Sequence, residues 1–98
     1  MTLSRVRLDP LETVREMRGY KEPVDTSLPL EQMTHEWMAT GLVTIIDEWA
    51  YVSKVRGPLT HGIVTDFYDQ MRGRGVKRVI WQKVNKETRR MERVEVNL

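Results

Sequence analysis

"GLVTIIDEWAYVSKVRGPLTHG", residues 41–62, is the stretch on which the fold turns, because it holds the most apolar part of the chain and reads two ways. Val43-Thr44-Ile45-Ile46 is β-branched, and such side chains favour a strand on propensity. Leu42, Ile45, Ile46, Trp49, Val52 and Ser53 or Val55 nevertheless step by three and four, the spacing that lines one helix face, and this predicts a helix over Leu42 to Val55. Gly57-Pro58 ends that helix: the residue before a proline is pushed out of the α region, and the ring cannot continue the hydrogen-bond ladder. Beyond the turn, Thr60 can cap a further helix in which Ile63, Val64, Phe67, Tyr68 and Met71 form the buried stripe, closed by Gly73 and Gly75.

Upstream, Asp9-Pro10-Leu11-Glu12 has the form of a helix start: an Asp able to cap, proline at the first helical position, and a Glu three residues after the cap. Leu11, Val14, Arg15 and Met17 carry it to Gly19. Residues 20–29 hold two prolines and several turn formers, which predicts a surface loop able to wrap a partner. Leu30, Met33, Trp37 and Met38 then recur at helical spacing up to Gly41. At the other end, "VKRVIWQKVNKETRRMERVEVNL", residues 76–98, alternates in two blocks around Asn85 to Arg89, with Val94 and Val96 available to pair across, and predicts a basic β-hairpin. The expected fold class is α+β: a small single domain, N-terminal helices followed by a C-terminal basic β-hairpin. It divides into an acidic helical part, 1–41, and a part of basic helices plus hairpin, 42–98.

The chain of 98 residues is the length of one domain, and 40% hydrophobic with 31% charged residues is globular composition. No apolar run approaches the roughly twenty residues a membrane helix needs, and the first ten residues lack the apolar core of a secretory signal. The expectation is a cytoplasmic protein, in the host cell cytoplasm if phage-encoded, with no membrane partner. Without cysteine there is neither a disulfide nor a thiolate zinc site. Charge is sorted along the chain: residues 1–48 hold five basic side chains against nine acidic, residues 49–98 eleven against five. Nine of those cations, Arg72, Arg74, Lys77, Arg78, Lys83, Lys86, Arg89, Arg90 and Arg93, form the candidate contact surface for phosphates or an acidic protein face.

The motifs that carry chemistry are incomplete. His35-Glu36 has half of a zinc-binding helix, but the second histidine would fall at Ala39. His61 stands alone beside the turn, and Asp66 and Asp69, three apart, read as a solvated helix face. Gly73-Arg74-Gly75 precedes a strand, whereas phosphate-binding loops precede a helix. Ser4, Ser27 and Ser53 have no nucleophile context. The expectation is no catalytic residue, no metal and no cofactor.

Three resemblances bear on function. "WAYVSKVRGPLTHGIVTDFYDQMRGRGVKRVIWQKVN", residues 49–85, resembles the central strand, loop, helix and following strand of a GNAT-type acyltransferase, which implies a pyrophosphate loop beginning at Arg56. The family's two loop glycines are here Leu59 and His61. Residues 42–98 also resemble a winged helix, implying a DNA-binding transcriptional regulator with the hairpin as wing. Its reading helix would then present Thr65, Asp66, Asp69 and Gln70, and two of these are carboxylates that oppose a phosphate-lined groove. In size, charge and want of catalytic motifs the whole chain resembles the small anti-RecBCD accessory proteins of P22-like phages. That resemblance implies docking on the RecC subunit of the host RecBCD nuclease-helicase in favour of phage recombination. It also implies recruitment of a host cyclophilin-type prolyl isomerase through the loop Gly57, Pro58 and Leu59. The function expected from the sequence is this non-enzymatic docking, with single-stranded nucleic acid as a further partner of the basic hairpin. The DNA-binding regulator is the alternative, and a truncated GNAT-like acyltransferase comes third.

Overall fold

The computed structural model describes residues 3–10, 14–29, 32 and 36–98. Residues 41–56, the decisive stretch, form a hairpin and not a helix. β3 (Ala39–Ile46) and β4 (Trp49–Arg56) pair antiparallel, Val43 opposite Val52 and Ile45 opposite Ala50, around a two-residue turn with Asp47 at φ 53°. The helical spacing of Leu42, Ile45, Ile46, Trp49 and Val52 arises because the segment doubles back on itself. Val43, Ala50 and Val52 end up fully buried on one face, while Ile46 is left exposed. Propensity and distant pairing act together here, and they override periodicity.

Two more strands precede this hairpin, β1 (Leu3–Pro10) and β2 (Arg15–Asp25). The helix expected from Asp9 is therefore absent where the chain is described, residues 11–13 lying outside the described residues. The Asp9 carboxylate works between strands. It accepts hydrogen bonds from Arg7 Nε (2.9 Å) and Arg18 Nη1 (2.8 Å), tying β1 to β2 at the register Leu8 opposite Met17. The expected loop over residues 20–29 is mostly strand, since β2 runs on to Asp25 with Tyr20 and Val24 buried. Of the helix expected from Leu30, residues 30–31 and 33–35 lie outside the described residues. Trp37 and Met38 are not helical, and Gly41 sits inside β3 as the partner of Met17.

The remaining elements are α1 (His61–Gly73), β5 (Arg78–Val84) and β6 (Met91–Asn97). α1 starts where the sequence placed it: the Thr60 hydroxyl accepts the Ile63 N–H at 3.2 Å, and Ile63, Phe67 and Met71 are buried. β5 and β6 form the expected hairpin, Trp81 opposite Val94 and Val79 opposite Val96. The six strands make one sheet in sequence order, antiparallel throughout except for the parallel pair β4–β5, which α1 connects. Among the described residues the architecture is thus a mixed six-stranded sheet with one α-helix, and the expectation of N-terminal helices ahead of a hairpin is overturned. The core lies between α1 and one sheet face. Phe67 packs on Trp81 with ring centroids 5.4 Å apart, and Trp81 Nε1 donates to the Tyr68 hydroxyl at 3.0 Å. No helix among the described residues is long and apolar enough to cross a membrane.

Candidate functional site

β4 carries one residue too many. Leu42 pairs with Ser53 and Thr40 with Arg56, so three steps on β4 face two on β3, and within this bulge Lys54 takes the left-handed conformation (φ 52°). The same bulge ends the parallel pairing with β5. Trp49 to Val52 pair with Arg78 to Trp81, and past that point the two strands run on to Arg56 and Val84 without pairing to each other. A V-shaped cleft of about 690 Å³ opens between them. Ser53, Lys54 and Val55 line it from β4 and Gln82, Lys83 and Val84 from β5, joined by Lys86 and Met91. The cleft lies at the C-terminal ends of the two parallel strands, where open sheets characteristically bind ligands.

Sequence reasoning singled out Lys83 and Lys86 for their charge but missed the other six lining residues. Their only trace in the sequence is a slip in alternation: the inward apolar positions of β4 run 50, 52, 55, two steps and then three.

The candidate basic surface divides. Arg72 is paired with Asp69 (3.2 Å), Lys77 with Glu48 (3.3 Å), and Arg78 stacks over Trp49 (4.6 Å from its centroid) while donating to Asn97 Oδ1 (3.1 Å). Arg74 closes α1 and lines a surface depression with Asp66, Asp69 and Gln70, its pKa lowered by burial and further by Arg15. Among the described residues, Lys83, Lys86, Arg89, Arg90 and Arg93 make no ion pair, and all five stand exposed on the β5–β6 hairpin.

Gly57 (φ 84°) and Pro58 form an exposed trans connection from β4 to α1, and Leu59 is half-buried against the helix side of the sheet. Asp66 and Asp69 do not act together: Asp66 accepts the Arg5 backbone N–H (2.8 Å) and Arg5 Nη1 (3.3 Å). His61 is exposed at the start of α1, and His35 lies outside the described residues. No group of three or more histidine, aspartate or glutamate side chains placed to hold a metal occurs among the described residues. The helix pair required by the winged-helix resemblance is not formed, since its first helix is the β3–β4 hairpin. Residues 49–84 run in the order strand, loop, helix, strand.

No family model, curated protein or solved structure matches this chain.

Proposed function

We propose that the chain binds an extended, amide-bearing anion of the acyl-carrier nucleotide type in the cleft between β4 and β5. The observation that carries this reading is the end of pairing at Val52 and Trp81, with Lys54 bulged at that point. Two strand edges that hydrogen-bond to each other lower down diverge there, and their backbone groups suit an extended ligand that inserts as a short strand would. Lys54, Lys83 and Lys86 supply the charge for its phosphates, while Val55, Val84 and the lysine stems supply apolar wall. The loop departs from the acyltransferase pattern: Pro58 has no N–H, and Leu59 and His61 stand where that family has glycines. Phosphate recognition in this chain therefore falls to the cleft lysines more than to loop amides.

Isothermal titration with acetyl-coenzyme A tests the reading. One-to-one binding that weakens as salt rises is expected, with affinity lost in Lys83→Glu and in Ser53→Trp, which fills the cleft. Absence of binding, or undiminished binding by Ser53→Trp, removes it.

The second reading is the docking function expected from the sequence, onto a nuclease-helicase of the RecBCD type. It is favoured by the five unpaired hairpin cations and by the exposed Val84, Met91 and Val94 among them. Stoichiometric recovery of that machine from a bacterial lysate, lost in Arg89→Ala with Arg90→Ala, is its expected result. Recovery of nothing stoichiometric refutes it.

A further inference from the structure

The two edges of the sheet are finished differently. At β1 the backbone is engaged by α1: Asp66 accepts the Arg5 N–H (2.8 Å) and Gln70 Nε2 donates to the Val6 carbonyl (2.6 Å). Among the described residues β6 has no such cover, and Met91 to Glu95 are exposed in an unbroken row. An open edge of this kind is a template for another strand. The groups it offers follow from the hairpin ladder. Asn85 N–H donates to the Arg90 carbonyl (2.8 Å) and Leu98 N–H to the Lys77 carbonyl (2.9 Å), so the even-numbered residues of β6 bond inward to β5. Met91, Arg93, Glu95 and Asn97 consequently direct their N–H and C=O groups to the free edge.

We infer that β6 pairs antiparallel with β6 of a second copy of this chain, about a twofold axis at Val94, joining two sheets into one. In that register every outward-bonding residue meets another: Arg93 lies opposite Glu95 of the second copy, twice over, and Met91 opposite Asn97. Val94 meets its own copy at a non-hydrogen-bonded position, where facing side chains approach most closely. The neighbouring registers are disfavoured by charge, because one sets Arg93 against Arg93 and the other Glu95 against Glu95. Val94, 43% exposed in the single chain, lines with Val96 a shallow apolar groove beside Leu59, Val64 and Tyr68, and the second copy extends that groove across the axis. The dimer does not depend on what the cleft binds.

Sedimentation equilibrium of the full chain tests it with Arg93→Glu and Glu95→Arg, both at exposed positions whose folding is checked by circular dichroism. The wild type is expected to sediment as a dimer. Each variant alone should dissociate, its Kd raised at least about tenfold. An equimolar mixture of the two should regain the dimer mass, because the reversed charges then complement each other. A monomeric wild type, variants as dimeric as the wild type, or a mixture that stays monomeric would each overturn the inference.

Discussion

Replacing Gly57 by alanine should be among the most damaging small substitutions in this chain, and Gly75→Ala supplies its internal control. Both glycines are left-handed, at φ 84° and 80°, so both alanines incur the same backbone penalty of about 1 to 2 kcal/mol. At Gly75 nothing lies within 4 Å of the added methyl, and that penalty is the whole effect. At Gly57 the methyl would stand 2.2 Å from the Met38 carbonyl oxygen and 3.1 Å from the Ala39 Cα. Both are backbone atoms at the start of β3, and neither can rotate aside as a side chain would. Relief requires moving the end of the β3–β4 pair, which places the total for Gly57→Ala at about 3 to 5 kcal/mol. In urea unfolding followed by tryptophan fluorescence, Gly57→Ala should lower the midpoint by roughly 2 M and Gly75→Ala by less than about 1 M. Equal midpoints for the two variants would refute the reasoning, since the close approach of the β4–α1 connection to Met38 would then carry no cost. The glycine of the Gly57-Pro58 pair thus has a structural task independent of any isomerase: it lets the chain leave β4 across the start of β3.

Three further outcomes are expected. Asp9→Ala removes the carboxylate that Arg7 and Arg18 share, while Arg18 keeps Glu16 and Arg7 the Leu28 carbonyl, and should cost about 1 to 2 kcal/mol in the same urea assay; an unchanged midpoint would show that the shared carboxylate contributes nothing. Tyr68→Phe removes the acceptor of Trp81 Nε1 at 3.0 Å and should cost about 1 kcal/mol with a change in tryptophan emission, and an unchanged spectrum would contradict that bond. Burial raises the Tyr20 pKa above its ordinary 10.0, against the lowering influence of Arg18 and Arg7. As pH rises past 10.0 the unfolded chain loses this proton first, so the contribution to stability is complete below pH 10.0 and declines towards the folded value. Urea midpoints measured on either side of pH 10.0 should show an alkaline loss that is smaller in Tyr20→Phe; equal losses would contradict the shift.

What the sequence by itself determined are the elements whose signals and partners lie close together in the chain. α1 is one: Pro58 ahead of it, the Thr60 hydroxyl on the Ile63 N–H, and a stripe of Ile63, Phe67 and Met71 that a helix brings together from within its own turns. The β5–β6 hairpin is the other, its alternation and its Asn85 turn being complete within residues 78–97. The concentration of unpaired cations on that hairpin was legible for the same reason. Tertiary structure alone decided the rest. Asp9 and Pro10 are as suited to starting a helix as to ending a strand, and the outcome rests on Met17 finding Leu8 on one side and Gly41 on the other. Leu42 to Val55 meets the helical template as one segment and the strand template only once it is folded back. The cleft was least legible of all, because it needs a one-residue slip at Lys54 to stand beside the end of β5, some thirty residues further on, after α1 has crossed between them. A strand's hydrogen bonds are completed by whichever segment comes to lie beside it, and that neighbour is chosen by the folded chain as a whole and not by the residues on either side of it in sequence.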